Sequence, residues 1–353
     1  MNVLFVFLIV LDVVTIMYKW VRQKEEIVKT IACPQCEKPD IYLLLLDEYA
    51  GYSQLKKHFT YDNTPFLQQL EQSGFTVLHQ SASNYSSTPF SISSLLNMEY
   101  LTLNDYSYTD KNLNYCYKKI ATSKVVKVFQ SLGYDFVNLS LFDIAGHASI
   151  INKTFLKSGI DLISSQTLGQ RLKRDVYYNV LMNHFQNTNL YKQFIFNDLE
   201  NNRLVYNKTI IAAKAIAAKP RFIYTHLIMP HFPYYYNEQG KLNPINQLAA
   251  KHMTDKSLYL SYLKYTNSRV LQLVDSIKLN ASKPPVILLL GDHGFRYIGK
   301  KDSSVFSTLT AISLPHKNDQ QYYSTISHVN QFPVLFNTLF KQQMPLLKDQ
   351  SGE

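Results

Sequence analysis

Two short stretches of this chain leave little freedom for its fold. Residues 41–46 read Ile-Tyr-Leu-Leu-Leu-Leu and residues 286–290 read Val-Ile-Leu-Leu-Leu. Each is too short for a helix, shows no polar alternation, and runs directly into acids: Asp47 and Glu48 after the first, Asp292 behind Gly291 after the second. A strand apolar on both faces must be covered on both faces, as central strands of parallel sheets are. Residues 221–225 and 134–139 predict further strands. Amphipathic stretches lie between them, so the pattern predicts an α/β fold with a central, mostly parallel sheet flanked by helices. One helix begins at Thr64, read as its N-cap, with Pro65 in the first turn and Gly74 closing it. Another spans 256–280, with Leu263, Val270, Val274 and Ile277 on one face. The Asn- and Tyr-rich stretches near 103–115 and 234–246 predict surface loops.

The first seventeen residues are nearly all apolar, with Asp12 the single charge, and Lys19, Trp20, Arg22 and Lys24 follow at once. That length just reaches what crossing a bilayer needs. Residues 1–20 are therefore expected to form a transmembrane anchor, 21–39 a linker and 40–350 the catalytic domain. A cleaved signal peptide would carry its charge before the apolar run and an Ala-x-Ala-like site after it, and neither is present. The cations after the run favour a cytoplasmic domain by the positive-inside rule, which constrains one helix carrying a large domain only loosely. Lys and Arg exceed Asp and Glu by ten, spread along the chain. Diffuse positive charge fits an anionic membrane surface or substrate, and without a basic stripe interleaved with aromatics no nucleic-acid partner is expected. Cys33 and Cys36 form a lone C-x-x-C pair, with Cys116 apart; one pair falls short of a four-ligand zinc site, so a local disulfide or two incidental thiols in the linker is the expectation.

In a parallel α/β sheet, chemistry gathers outside the carboxyl ends of the strands. Asp47 and Glu48 would stand there beside Asp292 and His293, and two carboxylates with an imidazole suit zinc, manganese or magnesium. Glycines on both sides of Asp292-His293 would let the backbone turn sharply. A third segment, Asn84 to Ser91, ends in Thr88-Pro89 before helically spaced residues. Thr88 as N-cap would set its hydroxyl at the positive end of a helix, facing an anion site. A metal touching Thr88 would stabilise its alkoxide as a nucleophile.

In this order the segments resemble the alkaline phosphatase superfamily, and within it the sulfatase-like hydrolase/transferase branch of bacterial membranes, related to phosphoethanolamine and glycerol-phosphate transferases. The matching stretches are 39–50 (PDIYLLLLDEYA), 61–67 (YDNTPFL), 83–88 (SNYSST) with 94–101 (SLLNMEYL), 225–233 (THLIMPHFP) and 285–294 (PVILLLGDHG), with 327–332 and 345–349 as closing segments. The resemblance implies one divalent metal ion held by Asp47, Thr88, Asp292 and His293, with Thr88 as nucleophile. It implies His231 as the residue contacting substrate phosphate, and His226 and His328 as further candidates for that wall or for a second metal. Glu48 stands where many relatives carry a small residue or a second carboxylate. The sulfatase signature Cys/Ser-x-Pro-x-Arg is absent, which turns the expectation away from sulfate esters and toward phosphoryl transfer from a phospholipid head group or to an envelope glycan. It also implies an inner-membrane protein with its catalytic domain on the periplasmic side. A sulfuric-ester hydrolase, or an inactive sulfatase-fold interaction module at the membrane, are the competing readings.

Overall fold

The computed structural model describes residues 31–151, 188–299, 302–315 and 319–352, together with Val10 and Val14. Apart from Val10 and Val14, the expected anchor lies outside the described residues, as do residues 21–30 of the expected linker. Among the described residues no helix is long and apolar enough to cross a membrane. Contacts divide the chain at Thr30, and Ile31–Glu353 form one compact unit.

Among the described residues six strands make one sheet: β1 Ile41–Leu46, β2 Thr76–Val77, β3 Asp135–Leu139, β4 Arg221–Leu227, β5 Val286–Gly291 and β6 Thr310–Ser313, in spatial order β2-β6-β5-β1-β4-β3. The four strands β3, β4, β1 and β5 run parallel, while β6 pairs antiparallel with β5 and β2, at the edge, antiparallel with β6. All four strands expected from apolar runs are present. Every residue of β1, β4 and β5 is buried, because helices cover both faces. On one face α1 (Tyr52–Phe59), α2 (Thr64–Gln72), α6 (Asn189–Lys214) and α7 (Lys256–Asn280) share a core with Tyr42, Leu44, Ile223 and Leu289. On the other, Phe129 of α5 (Lys124–Ser131) stacks on Phe222 of β4 at 4.4 Å. Phe332 and Phe336 of α8 (His328–Phe340) close over the pair.

Three local expectations shift. Asn63 rather than Thr64 is the N-cap residue of α2, so Thr64 and Pro65 lie inside its first turn. Ser87 likewise precedes α3 (Thr88–Asn97), and Thr88 is its first helical residue. Part of the supposed loop 103–115 is α4 (Asp110–Ala121), capped by the Thr109 hydroxyl on the Asn112 amide. Its buried stripe is Asn112, Cys116, Tyr117 and Ile120, and a polar first member hid the helical period. The loop 234–246 is irregular up to a short 3-10 turn at Ile245–Leu248. Cys33 and Cys36 are joined in a disulfide, while Cys116 is free and buried.

Candidate active site

Register decides which residues meet. Leu46 of β1 lies level with Gly291 of β5, and Leu45 level with His226 of β4. The next residues on β1 and β5, Asp47 and Asp292, therefore leave the sheet side by side at its carboxyl edge, with His226 beside them. The Asp47 amide still bonds the Leu227 carbonyl at 3.0 Å, which holds Asp47 in line with the strand.

Asp47, Asp292 and His293 are fully buried, and each offers a ligand atom within 4.8 Å of the others. His293 Nε2 lies 3.4 Å from Asp292 Oδ2, 3.9 Å from Asp47 Oδ1 and 3.4 Å from Thr88 Oγ1, and Thr88 Oγ1 is 3.5 Å from Asp47 Oδ1. A tetrahedral ion with bonds of about 2.1 Å needs ligand atoms about 3.4 Å apart, so these spacings fit one. Asp292 Oδ1 accepts from the Glu48 and His293 amides, each at 2.9 Å, which aims Oδ2 at the cluster. Asp47 Oδ2 and Asp292 Oδ2 are buried without a hydrogen bond among the described residues. Such groups are costly to leave bare, and a divalent cation satisfies both at once. The donor set of one imidazole, two carboxylates and a hydroxyl suits zinc, manganese or magnesium.

The electrostatics tell the same story from the charge side. Burial, together with the Asp47 charge, pushes the Asp292 carboxyl well above the usual carboxylate range. Burial acts upward on Asp47 too, but His231, His226 and His293 outweigh it and hold its carboxyl below that range. Burial, then the Arg296 charge, lowers His293 to about 4, so its imidazole is neutral and free to ligate. Its Nδ1 lies 2.8 Å from the Gly294 carbonyl, which fixes the tautomer with Nε2 toward the cluster.

The glycines flanking Asp292-His293 serve packing rather than a sharp turn, since neither has a left-handed backbone. A Cβ on Gly291 would meet Thr308 Oγ1 at 2.1 Å, and one on Gly294 would meet Gln54 Oε1 at 2.5 Å and the Ser307 carbonyl at 2.7 Å. The left-handed residue of the site is Glu48, at φ 59°. For a side chain larger than glycine that conformation costs about 1–2 kcal/mol, and backbone strain of this kind concentrates at functional sites.

The remaining expected residues fall into two groups. His226 Nε2 is 3.7 Å from Asp47 Oδ2, which favours the proton on Nε2 and leaves Nδ1 to accept from the Tyr224 hydroxyl at 3.1 Å. His328 reaches the cluster through Ser91: the Ser91 hydroxyl donates to the Asp292 carbonyl at 2.6 Å, so His328 Nδ1 donates to Ser91 Oγ at 3.1 Å. It therefore supports Asp292 from behind. Glu48 and His231 are linked by a residue that no motif flagged, Arg296. Its backbone amide and Nε donate to Glu48 Oε1 at 3.2 and 3.3 Å, and its Nη2 lies 3.0 Å from His231 Nε2. A guanidinium has no acceptor, so His231 Nε2 accepts and its proton sits on Nδ1, donated to the Phe232 carbonyl at 2.5 Å. Burial would lower the Arg296 pKa, but Glu48 and Asp47 outweigh it and keep the side chain charged. The only sequence signal for Arg296 was its place three residues beyond His293. His231 rides on the segment after β4, which Asn202 of α6 anchors by bonding both the amide and the carbonyl of Ile228, at 2.7 and 2.8 Å.

No protein-family model matches the chain, and no curated protein matches it in sequence. Solved structures share its fold. The C-terminal periplasmic domain of EcEptC from Escherichia coli, in complex with zinc, aligns over 87% of this chain and 84% of its own, with a TM-score of 0.51 at 15% identity. A Bacteroides thetaiotaomicron protein designated BT33494S-sulf, from a locus for glycosaminoglycan metabolism, aligns over 85% of this chain and 72% of its own, with a TM-score of 0.50 at 15% identity. The C-terminal periplasmic domain of phosphoethanolamine transferase EptC from Campylobacter jejuni gives 0.48 at 13% identity over 86% and 89%. The likeness is one of fold: the chain shares the mixed α/β architecture of these solved phosphoethanolamine-transferase and sulfatase domains.

Proposed function

We propose that this protein is a metal-dependent hydrolase/transferase acting on phosphate esters, with Thr88 as its nucleophile and with residues 1–20 holding it in a bacterial inner membrane so that the catalytic domain faces the periplasm. The observation that carries the chemistry is the Thr88 hydroxyl. It stands in the first turn of α3, within 3.5 Å of both Asp47 Oδ1 and His293 Nε2. The zinc complex of the structurally similar EcEptC domain is consistent with such a centre.

Asp47, Thr88, Asp292 and His293 would hold the ion, which when bound supplies Lewis acidity to a phosphoryl oxygen and lowers the pKa of the Thr88 hydroxyl. Once its proton has left to solvent, Thr88 Oγ1 attacks phosphorus in line. The Oγ1–P bond forms, the bond from phosphorus to the leaving alcohol breaks, and that alcohol takes a proton from solvent or from a protonated imidazole. His231 is the candidate donor once a substrate oxygen has replaced its Nε2 as the partner of Arg296. Arg296 and the α3 N-terminus face the charge that builds on the equatorial oxygens. Water or an acceptor alcohol then attacks the phospho-threonine and frees Oγ1. The donor is a phospholipid head group or another envelope phosphate ester, with a lipid or envelope glycan as acceptor.

The test is turnover of bis(p-nitrophenyl) phosphate by the zinc-loaded chain and its Thr88→Ala variant. Loss of turnover with metal content retained is expected. Unchanged turnover would remove Thr88 as nucleophile, and a wild-type chain that binds no divalent ion would remove the enzyme reading itself. Incubation with membranes and mass spectrometry of the envelope products then identifies donor and acceptor.

A further inference from the structure

The end of the sheet opposite the ligand cluster carries a surface that the proposed chemistry does not use. The starts of β1, β3, β4 and β5 lie there, and the folded unit begins at the same edge. Ile31 shares hydrogen bonds with Ser131 Oγ, and Tyr134 donates to the Pro39 carbonyl. A cavity of about 270 Å³ opens between residues 38–40, the turn from α6 into β4, and the turn from α7 into β5. Its lining holds the cations Lys38, Lys214, Lys219, Arg221 and Lys283 and one carboxylate, Asp40, which Arg221 engages at 2.5 Å. The first of these turns presents Ile216, fully exposed at 101%, and the last turn of α7 presents Leu279, exposed at 86%.

Scattered exposed aliphatic residues are ordinary on a protein surface. Two of them on neighbouring turns, set around a cationic cavity, are a different arrangement. Apolar tips that enter the acyl boundary, with lysines placed for lipid phosphates, are what an interfacial membrane contact requires. We propose that this edge docks on an anionic phospholipid surface, with Ile216 and Leu279 entering the headgroup layer and the lysines facing lipid phosphates. Lys219 also faces Asp135 at 3.5 Å and Arg221 engages Asp40, so the net charge of the edge rests on Lys38, Lys214 and Lys283, and the apolar tips beside them suit an acyl boundary rather than an acidic protein surface. Docked in this way, the protein carries Asp47, Asp292 and His293 at the far edge of the sheet, a pose that, of the two donors proposed above, admits the envelope phosphate ester and not a head group of the same bilayer. The six residues of β1 put that edge about 20 Å further out, at about 3.3 Å per residue.

The full chain, carrying an environment-sensitive NBD label at Ile216→Cys, at Leu279→Cys or at Leu242→Cys in the loop after β4, is reconstituted in nanodiscs of phosphatidylcholine with or without phosphatidylglycerol. Cys33 and Cys36 are paired and Cys116 is buried, so the label goes to the introduced thiol. Expected is a blue shift and quenching by brominated lipid at 216 and 279 when phosphatidylglycerol is present, absent at 242, and lost with Lys214→Glu, Lys219→Glu and Lys283→Glu combined. Circular dichroism checks that the variants fold. Water-like emission at both 216 and 279, equal shifts at 216 and 242, or a shift that survives the charge reversals would each overturn the proposal. The readout is independent of turnover, so it stands or falls apart from the phosphoryl-transfer reading.

Discussion

Arg296→Met separates two things that one guanidinium does. The methionine keeps much of the apolar stem and removes the charge between Glu48, whose side chain is fully buried, and His231. Leaving a buried carboxylate without its cation costs about 3–5 kcal/mol when both partners are fully enclosed. Here the Arg296 side chain is 27% exposed, so solvent reaches the vacated position. About 2 kcal/mol is a fair expectation, or a fall of roughly 3 °C in Tm for a unit of this size. The catalytic loss is separate: a charge-assisted hydrogen bond to a phosphoryl oxygen is worth about 1.5–3 kcal/mol, or roughly 10- to 150-fold in kcat/KM. Adding Glu48→Gln removes the stranded charge. The double variant is expected to recover most of the Tm while kcat/KM stays low. Both quantities are read on zinc-loaded protein, by thermal unfolding and by bis(p-nitrophenyl) phosphate turnover. If activity recovers together with stability, Arg296 acts only by neutralising Glu48, and its role toward the substrate is refuted.

Gly294→Ala is expected to destabilise by about 1–3 kcal/mol through overpacking against the Gln54 side chain and the Ser307 carbonyl, and to weaken zinc binding because the strained segment carries His293. Calorimetry and a zinc titration check both, and an unchanged Tm would refute the packing argument. Burial, then His293, lowers His328 to about 3. Between about pH 6.5 and that value the unfolded chain binds a proton that the folded chain does not, so stability falls as pH drops through this window. His328→Asn, which keeps a donor for Ser91, should flatten the slope of unfolding free energy against pH. Urea titrations across that range read the slope, and an unaltered slope would mean that His328 is not the group responsible.

The apolar runs at 41–46 and 286–290 were enough to determine the parallel centre of the sheet, because a strand without polar alternation has nowhere to go but the middle of a covered sheet, while the antiparallel β6 and the two-residue β2 left no such run to read. They also located Asp47, Asp292 and His293, since whatever follows such a strand emerges at its carboxyl edge. Thr88-Pro89 marked a helix start in the same way, short by one residue, because the backbone of Ser87 and not the side chain of Thr88 turns into the helix. What tertiary structure alone decided is how these residues meet. The level of Leu46 with Gly291 makes two distant acids neighbours, and no local pattern encodes that register. The roles of the glycines reversed for a related reason: their need is for space beside Thr308 and Ser307, residues far along the chain. Arg296 and Ser91 went unflagged because an arginine after a motif and a serine in a helix are common. Their meaning lies in contacts with His231, Glu48, Asp292 and His328, which only the folded chain brings within hydrogen-bond reach.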